Sequence, residues 1–595
     1  MIDLEKAKRY FIQARDLTAT ARTESQIDDD YFHGYQLTPD ERRILRDRKQ
    51  PDTVFNRVRP SVLGTLGVLK AGATDPRAYP RTPNDEESAD VATKSLQYIA
   101  DKDDFDATRI DCGLTYLKEG TCAVLVGIDD DLNVTTEKWA WEEFFYDPRS
   151  RRADFGDARY MGQAKWTFAD DVAASYPEFK GDILALSGGI TADATFQDRP
   201  SDSAANWVDE RKRRLMLVEL YCREGQDWFH CVFTGSTMLL CEKSPWVDRK
   251  GRTLNPVVAQ SCFIDRENNR YGIVRDMRGP QDEFNKRRIK LLHMLNTRQL
   301  RVTEQGYEID KDFASTEAAK PNGVIPFGYD VVPQTDMSSG QFQLLGEAAG
   351  EMERMGPNPA VLGRQGENSS GRAQLVRQQA GLTELAVVFG GIEGWELRVY
   401  RAMWARVQQF WTGPMFVRVT DDENAAQFVA INEPQHGPPM VGQDPETGMA
   451  MIYRPVLGYK NQIAEMDVDI TLDTIPDTAN LQQEQFQTLA ELAKMYGPQE
   501  VPFEDMLLLS SIPDKSKIIE KRKARAEEAQ QGQGPQQQLA MQGAATELQN
   551  TEADTELKKA QAQKALADAN RIGVETHTNA FQAGYGLART PAAGG

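Results

Sequence analysis

Gly356–Trp411 reads GPNPAVLGRQGENSSGRAQLVRQQAGLTELAVVFGGIEGWELRVYRAMWARVQQFW. Leu375, Leu382, Leu385, Phe389, Ile392, Trp395, Val399, Met403, Val407 and Phe410 recur in it at steps of three, four or seven, which is the period of a helix. Ser369 and Ser370 are natural N-caps at its start. From Gly371 to Trp411 such a helix spans roughly 60 Å, so it crosses more than one layer of an ordinary domain. Gly390, Gly391 and Gly394 predict a kink near 390–394. The preceding loop carries Gly363, Gly366 and Gly371 and no apolar residue that could anchor it in a core. Arg364 and Arg372 bracket Asn368, Ser369 and Ser370 in it, which predicts an exposed, polar segment. A cation gains nothing from the positive end of a helix dipole, so Arg364 is read as facing a ligand rather than capping the helix.

On either side of this helix the period changes. Thr121–Ile128 (TCAVLVGI) is a buried strand by length and β-branching, and Trp139–Tyr146 continues in extended, aromatic-rich style. Leu215–Tyr221, Trp228–Phe233 and Thr237–Cys241 form a meander separated by turn residues. Phe416–Val419, Phe428–Ile431 and Met466–Thr474 supply further strands. In the last, Val468, Ile470 and Leu472 alternate with acidic and hydroxyl residues, the pattern of a sheet with one wet face. The N-terminal fifty residues read as a charged, solvated helical arm with an acidic break at Asp28, Asp29 and Asp30. Helices are expected over Glu87–Lys102, Phe105–Leu117 and Asp170–Tyr176, and a surface loop over Gly188–Asn206. The fold class is α+β, mainly helical.

A helical hairpin leaves this body. Gly279-Pro280 reads as an N-cap and first helical residue, with Asp282 and Glu283 in the first turn and Lys286, Arg287, Arg288 and Lys290 behind them. Pro280–Arg298 would be roughly 28 Å long. Residues 302–333 read as short strands and turns, and Gln341–Met355 as the returning helix. The four basic residues occupy consecutive angles round the helix, so they cannot all face one way. Asp282 reaching Lys286 at i,i+4 is the structural reading; Arg287 and Lys290 contacting phosphate is the functional one. Beyond the strands come helices in 481–530, then the low-complexity QGQGPQQQ at Gln531–Gln538. Leu539–Asn570 is too poor in large apolar residues to bury a core alone. It either assembles with copies of itself or stays disordered, and 580–595 reads as a flexible tail.

The chain has 595 residues and a net charge of −20, which disfavours a simple basic nucleic-acid-binding module. The six cysteines have no CxxC spacing and give no metal knuckle or redox pair; their sparse use fits a reducing cytoplasm. The opening MIDLEKAKRYF lacks a signal pattern, and no apolar run is long enough for a membrane span. There is no GxxxxGK[ST], HExxH or GxGxxG. The acidic clusters Asp101–Asp106 and Asp129–Asp131 read as solvated loops or caps. The expectation is a non-enzyme with no cofactor, no metal and no catalytic residues.

Four segments resemble the portal (head-to-tail connector) proteins of tailed double-stranded DNA phages, most closely the short-tailed podovirus type of Salmonella phages. They are Asn56-Arg57-Val58-Arg59-Pro60, Phe145-Tyr146-Asp147-Pro148 followed by Asp157-Ala158-Arg159-Tyr160, Gly272-Ile273-Val274-Arg275 leading into Pro280–Lys286, and Asn368-Ser369-Ser370-Gly371. The resemblance implies a twelvefold homo-oligomeric ring around a double-stranded DNA channel at one capsid vertex of the virion, assembled in the host cytoplasm and used for genome packaging and ejection. Its partners would be terminase, tail adaptor proteins, and the major capsid and scaffolding proteins, with no membrane. Mapped on this sequence, it implies an N-terminal arm (1–50), a wing (51–278 and 413–480), a stem helix (279–298), a clip (299–340) and a second stem helix (341–355). A tunnel-facing region (356–372), a long kinked wing helix (373–412), a helical crown (481–530) and a barrel-like C-terminal helix with its tail (531–595) follow. The channel candidates are Arg364, Asn368, Ser369, Ser370, Arg372, Arg287 and Lys290. The competing readings are another virion structural protein, such as a tail adaptor or minor capsid protein, and, behind it, a DNA-packaging enzyme.

Overall fold

The computed structural model describes residues 2–474, apart from 49, 73, 82–85, 187–206, 210–212, 297–299, 304–310, 321, 333–334, 356–370, 421–425 and 444–449. The expected loop Gly188–Asn206, the crown and the C-terminal helix lie outside these residues.

The helix Gly371–Phe410 runs unbroken for 40 residues; the glycines at 390, 391 and 394 do not interrupt it. Its C-terminal half is the axis of the body. Ile392, Trp395, Val399, Met403 and Val407 are buried in the largest apolar cluster, together with Val58, Leu96, Phe105, Tyr116, Val124 and Ile470. Polar side chains on the same half tie neighbouring backbones to it. Trp395 Nε1 donates to the Val258 carbonyl (3.0 Å), Arg398 Nη1 to those of Asp154 and Ala259 (both 3.0 Å), and Trp411 Nε1 to that of Leu132 (2.9 Å). Arg406 is buried, donating through Nε to the Val126 carbonyl (3.1 Å), with its guanidinium 4.4 Å from the Trp246 ring centre. Leu382, expected on the apolar stripe, is exposed, and Val387 is 76% exposed. The helix leaves the core toward its N-terminal end.

Two sheets complete the body, the first packed on this axis and the second against the first. Val257–Ser261, Thr121–Ile128 and Val134–Trp139 form one, with Thr121–Ile128 in the middle and buried along most of its length. The other runs Phe144–Tyr146, Tyr160–Phe168, Arg214–Glu224, Asp227–Phe233, Met238–Lys243, all antiparallel, with the short strand Val208–Asp209 also paired to Arg214–Glu224. The predicted meander is therefore present and longer than its apolar runs. The predicted extended stretch Trp139–Tyr146 is instead two strands separated by a turn. Val468–Thr474 pairs with Thr74–Pro80, a strand the sequence reading missed. Two-stranded ribbons, Met415–Thr420 with Ala426–Ile431, Glu433–His436 with Val456–Lys460 and Met440–Gln443 with Ala450–Tyr453, complete the later strands.

The N-terminal arm is not a solvated element. Ala7, Phe11 and Ala14 of helix Leu4–Leu17 are buried against Phe145, Val218, Leu220 and Phe233 of the larger sheet. The acidic run lies inside the helix Ala19–His33 rather than breaking it, and Asp28 is fully buried. Arg275 Nη2 (3.2 Å) and Arg278 Nη1 (3.1 Å) pair with its two carboxylate oxygens, which is how a carboxylate can be buried at all. Desolvation still pushes the Asp28 carboxyl up, against the lowering effect of the two arginines.

Candidate nucleic-acid interface

The helix that carries the basic cluster spans Val274–Asn296, with Pro280 inside it. It does not start at Gly279. A proline in mid-helix loses one hydrogen bond, here to the carbonyl of Asp276, and clashes with that carbonyl. Asp276 is exposed, so its carbonyl can turn to water. Gly279 presents no Cβ to the proline ring, which eases the restriction on the residue before proline. The partner helix is Thr335–Met355, longer at its start than the predicted Gln341–Met355, and the two pack along each other. Between them Leu300–Val302 pairs with Tyr329–Val331, and Lys311–Ala319 is a helix where strands and turns were expected.

One face of Val274–Asn296 is clamped to the body by a polar zipper built on the motif Phe55-Asn56-Arg57. Gln281 Nε2 donates to the Phe55 carbonyl (2.9 Å), and its Oε1 accepts from the Arg57 amide (3.0 Å). Asn285 Oδ1 accepts from the Phe55 amide (3.1 Å), and its Nδ2 donates to Gln36 Oε1 (2.7 Å). Both amides are buried with their hydrogen bonds made, which fixes the helix register as well as its attachment. Tyr31 donates its hydroxyl to Asp282 Oδ1 (2.6 Å). Arg57 stacks on Phe284 (4.5 Å to the ring centre) and pairs with Glu353 of the partner helix (3.6 Å).

This arrangement sorts the four basic residues. Arg288 lies over the Phe55 ring at 3.8 Å, on the body side. Arg287 donates through Nε to Glu283 Oε1 (2.7 Å), one turn earlier. Lys286 and Lys290 fall on the exposed stripe with Asp276, Gly279 and Glu283, and neither makes an ion pair with a described residue. The expected Asp282–Lys286 pair is absent: Asp282 is occupied by Tyr31. Of the two predicted stem residues, Lys290 is free to meet a ligand and Arg287 is held by Glu283; Lys286 is the neighbour the reading left out. Arg364, Asn368, Ser369 and Ser370 lie outside the described residues. Arg372 is on the first turn of the long helix, with its side chain also outside them.

The other motifs are structural. Arg270 is buried and donates to the Arg152 carbonyl (3.1 Å), the Ser150 carbonyl (3.0 Å) and Ser261 Oγ (2.6 Å), with its guanidinium 3.9 Å from the Phe155 ring centre. It pins the loop after Tyr146-Asp147-Pro148, and Asp147 accepts from the amides of Arg149 (3.0 Å) and Arg159 (3.2 Å) within that loop. Gly272 passes so close to Leu117 that a Cβ would sit 2.3 Å from its carbonyl oxygen. Glycine is required there for the chain after the short strand Arg270–Tyr271 to cross helix Phe105–Lys118 and turn into Val274–Asn296. Among the described residues no group of three or more His, Cys, Asp or Glu is placed to hold a metal. No described helix is long and apolar enough to cross a membrane.

The chain is similar, at 21% identity over 425 residues, to the portal protein of Helicobacter pylori bacteriophage KHP30; the match covers 68% of this chain and 66% of that protein. Among solved structures it has a likeness to a chain in the neck of an empty GTA particle computed with C6 symmetry. That likeness has 8% identity and covers 73% of this chain and 86% of the other, with a TM-score of 0.29, too low to support an inference. The family model described as phage P22-like portal protein matches residues 8–570. With nearly the whole length matched, the chain belongs to the phage P22-like portal protein family.

Proposed function

We propose that the protein forms a ring, twelvefold by the family resemblance, at one vertex of the capsid, through which double-stranded DNA enters during packaging and leaves on ejection. The observation that carries this reading is the family match over residues 8–570. The body around the long helix would be the wing. Val274–Asn296 and Thr335–Met355 would be the stem, and the segment between them the clip that docks terminase and later the tail adaptors. The loop before Gly371 would face the tunnel, with Arg364 toward the axis.

Two features support assembly. The segment between the stem helices exposes Val302, Phe313, Val324 and Phe327, the last two at 78% and 69%. Apolar side chains grouped at such exposure mark an interaction surface. The N-terminal half of the long helix likewise exposes Leu382 and Val387. A neighbouring subunit in a closed heterologous ring would cover both. The charge fits as well: an acidic wall repels phosphate and lets DNA slide, and a few exposed cations such as Lys286 and Lys290 suffice for transient contact. Negative-stain imaging of the purified protein tests the proposal. A ring with an axial hole is expected; a stable monomer by light scattering at micromolar concentration and physiological salt would refute it.

A further inference from the structure

Three cysteines that are far apart by local spacing meet on one face of the larger sheet. Cys231 and Cys241 are direct partners on the adjacent antiparallel strands Asp227–Phe233 and Met238–Lys243, and their sulfurs are 3.1 Å apart. Cys222, on the next strand, touches Cys231 from the other side. Directly opposed residues in such strands have Cα atoms about 4.5–5.5 Å apart, inside the roughly 4.4–6.8 Å range that disulfides use. Small χ1 rotations would therefore bring the two sulfurs to bonding distance without moving the backbone. Cys231 is buried and Cys241 partly exposed, so one thiol can be reached by a small oxidant and the other cannot. The face is covered by the start of the chain: Ile2, Ala7 and Phe11 pack on it, and Cys241 donates its S–H to the Ile2 carbonyl (3.4 Å).

We propose that Cys231 and Cys241 are a redox-responsive pair, a site of oxidative modification at which an intrachain disulfide staples the last two strands of the meander under the N-terminal helix. With a small-molecule disulfide such as oxidised glutathione as oxidant, the Cys241 thiol loses its proton to solvent. Its thiolate attacks one sulfur of the oxidant and expels the other as a thiolate. The Cys231 thiol then loses its proton and its sulfur attacks Cys241 Sγ. The Cys231–Cys241 bond forms, the mixed disulfide breaks, and the second small thiol leaves. Two protein thiols are oxidised and one small disulfide is reduced to two thiols. The bond removes the S–H that Cys241 offers to Ile2, so oxidation also frees that carbonyl. Burial and the neighbouring Cys231 push the Cys241 thiol up to about 12. Thiolate is scarce near neutral pH, and the reaction is slow there, accelerating roughly tenfold per pH unit in proportion to the thiolate.

The test is peptide mapping of the full-length protein after incubation with oxidised glutathione under native conditions, with free thiols alkylated before and after unfolding. The expected product is a Cys231–Cys241 linked peptide, formed faster at pH 9 than at pH 7. Cys222 should be alkylated only after unfolding. Cys222→Ser should still form the link and Cys241→Ser should not. A Cys222–Cys231 link, a link between subunits, or a folded protein that keeps both thiols while the unfolded chain loses its thiols in the same oxidant would each overturn the proposal. The wild-type measurement decides even where a variant fails to fold.

Discussion

The Tyr116 hydroxyl donates to the Val388 carbonyl, 3.0 Å away, and occupies the space beside Gly391, where a Cβ would sit 2.3 Å from that oxygen. The phenol thus reaches from helix Phe105–Lys118 into the flank of the long helix, and the missing side chain at 391 makes room for it.

This contact predicts a non-additive pair. Tyr116→Phe should cost about 1 kcal/mol, the usual net worth of a buried hydrogen bond. Gly391→Ala should destabilise despite alanine's better helix propensity, because the buried ring cannot swing away. The double variant should be more stable than Gly391→Ala alone, since the clashing oxygen is gone. Thermal unfolding of the four proteins checks this; simple additivity would show that Gly391 is not there for Tyr116.

Burial pushes both Glu119 and Glu396 up to about 7, each against the lowering effect of a neighbouring cation, Lys118 and Arg109. A carboxyl raised in the folded state binds its proton more tightly there than in the unfolded chain. Its contribution is fully present below the ordinary glutamate range and is lost as pH rises through about 7. These two groups therefore make the protein more stable at pH 6 than at pH 8. Glu119→Gln should flatten that slope, as read by melting temperature across this window. An unchanged slope would rule out Glu119 as a source of it.

Asp28 holds Arg275 and Arg278 in the first turns of helix Val274–Asn296. Asp28→Ala leaves two half-buried guanidinium groups with less compensation and should cost about 3 kcal/mol, in the range for breaking a buried pair. Hydrogen exchange should rise in both Ala19–His33 and Val274–Asn296. A rise confined to the first helix would mean that the pair does not couple them.

Lys286→Gln with Lys290→Gln removes the two exposed cations without touching the polar zipper. Melting temperature should be unchanged, while packaged DNA or its retention falls. Arg287→Gln should do the reverse on a small scale, losing about 0.3–0.5 kcal/mol from the Glu283 pair and leaving packaging intact. Equal packaging by all of these variants would remove this helix from the DNA path.

Arg364→Glu should leave ring assembly intact and impair packaging. Particles of that variant with normal genome length and infectivity would refute the tunnel-facing assignment of the loop.

The sequence made the local elements legible. Thr121–Ile128 is apolar at nearly every position and was read with its observed ends, and the stripe Ile392–Val407 marked the core face of the long helix. What it hid depended on distant partners. Asp28 looked like part of a solvated acidic run, because the arginines that let it be buried lie some 250 residues away. Pro280 looked like a helix start because the local pattern shows the proline and not the turn before it, Val274–Gly279, which the structure adds to the helix. Cys231 and Cys241 have no motif spacing, and only the strand register opposes them. Thr74–Pro80 (TDPRAYP) has two prolines and little alternation, so its pairing could not be read locally. On the site, the sequence supplied the basic cluster, but which cations stay exposed was decided by Phe55, Gln281 and Asn285.

Pairing Thr74–Pro80 with Val468–Thr474 also sets a timetable for biosynthesis. At about 5–20 residues per second, the ribosome needs roughly 20–80 s between making the first strand and making the second. For all that time the nascent chain carries an unmatched strand edge. Pro76 and Pro80 lack amide donors and Arg77 and Arg81 are charged, a composition that discourages pairing with a neighbouring chain on the same polysome. The arginines later meet Asp473 and Asp469 on the arriving strand and Asp467 just before it. A chain released before Val468 has made every large helix among the described residues and still lacks the second strand, so premature termination yields subunits without this closing pair.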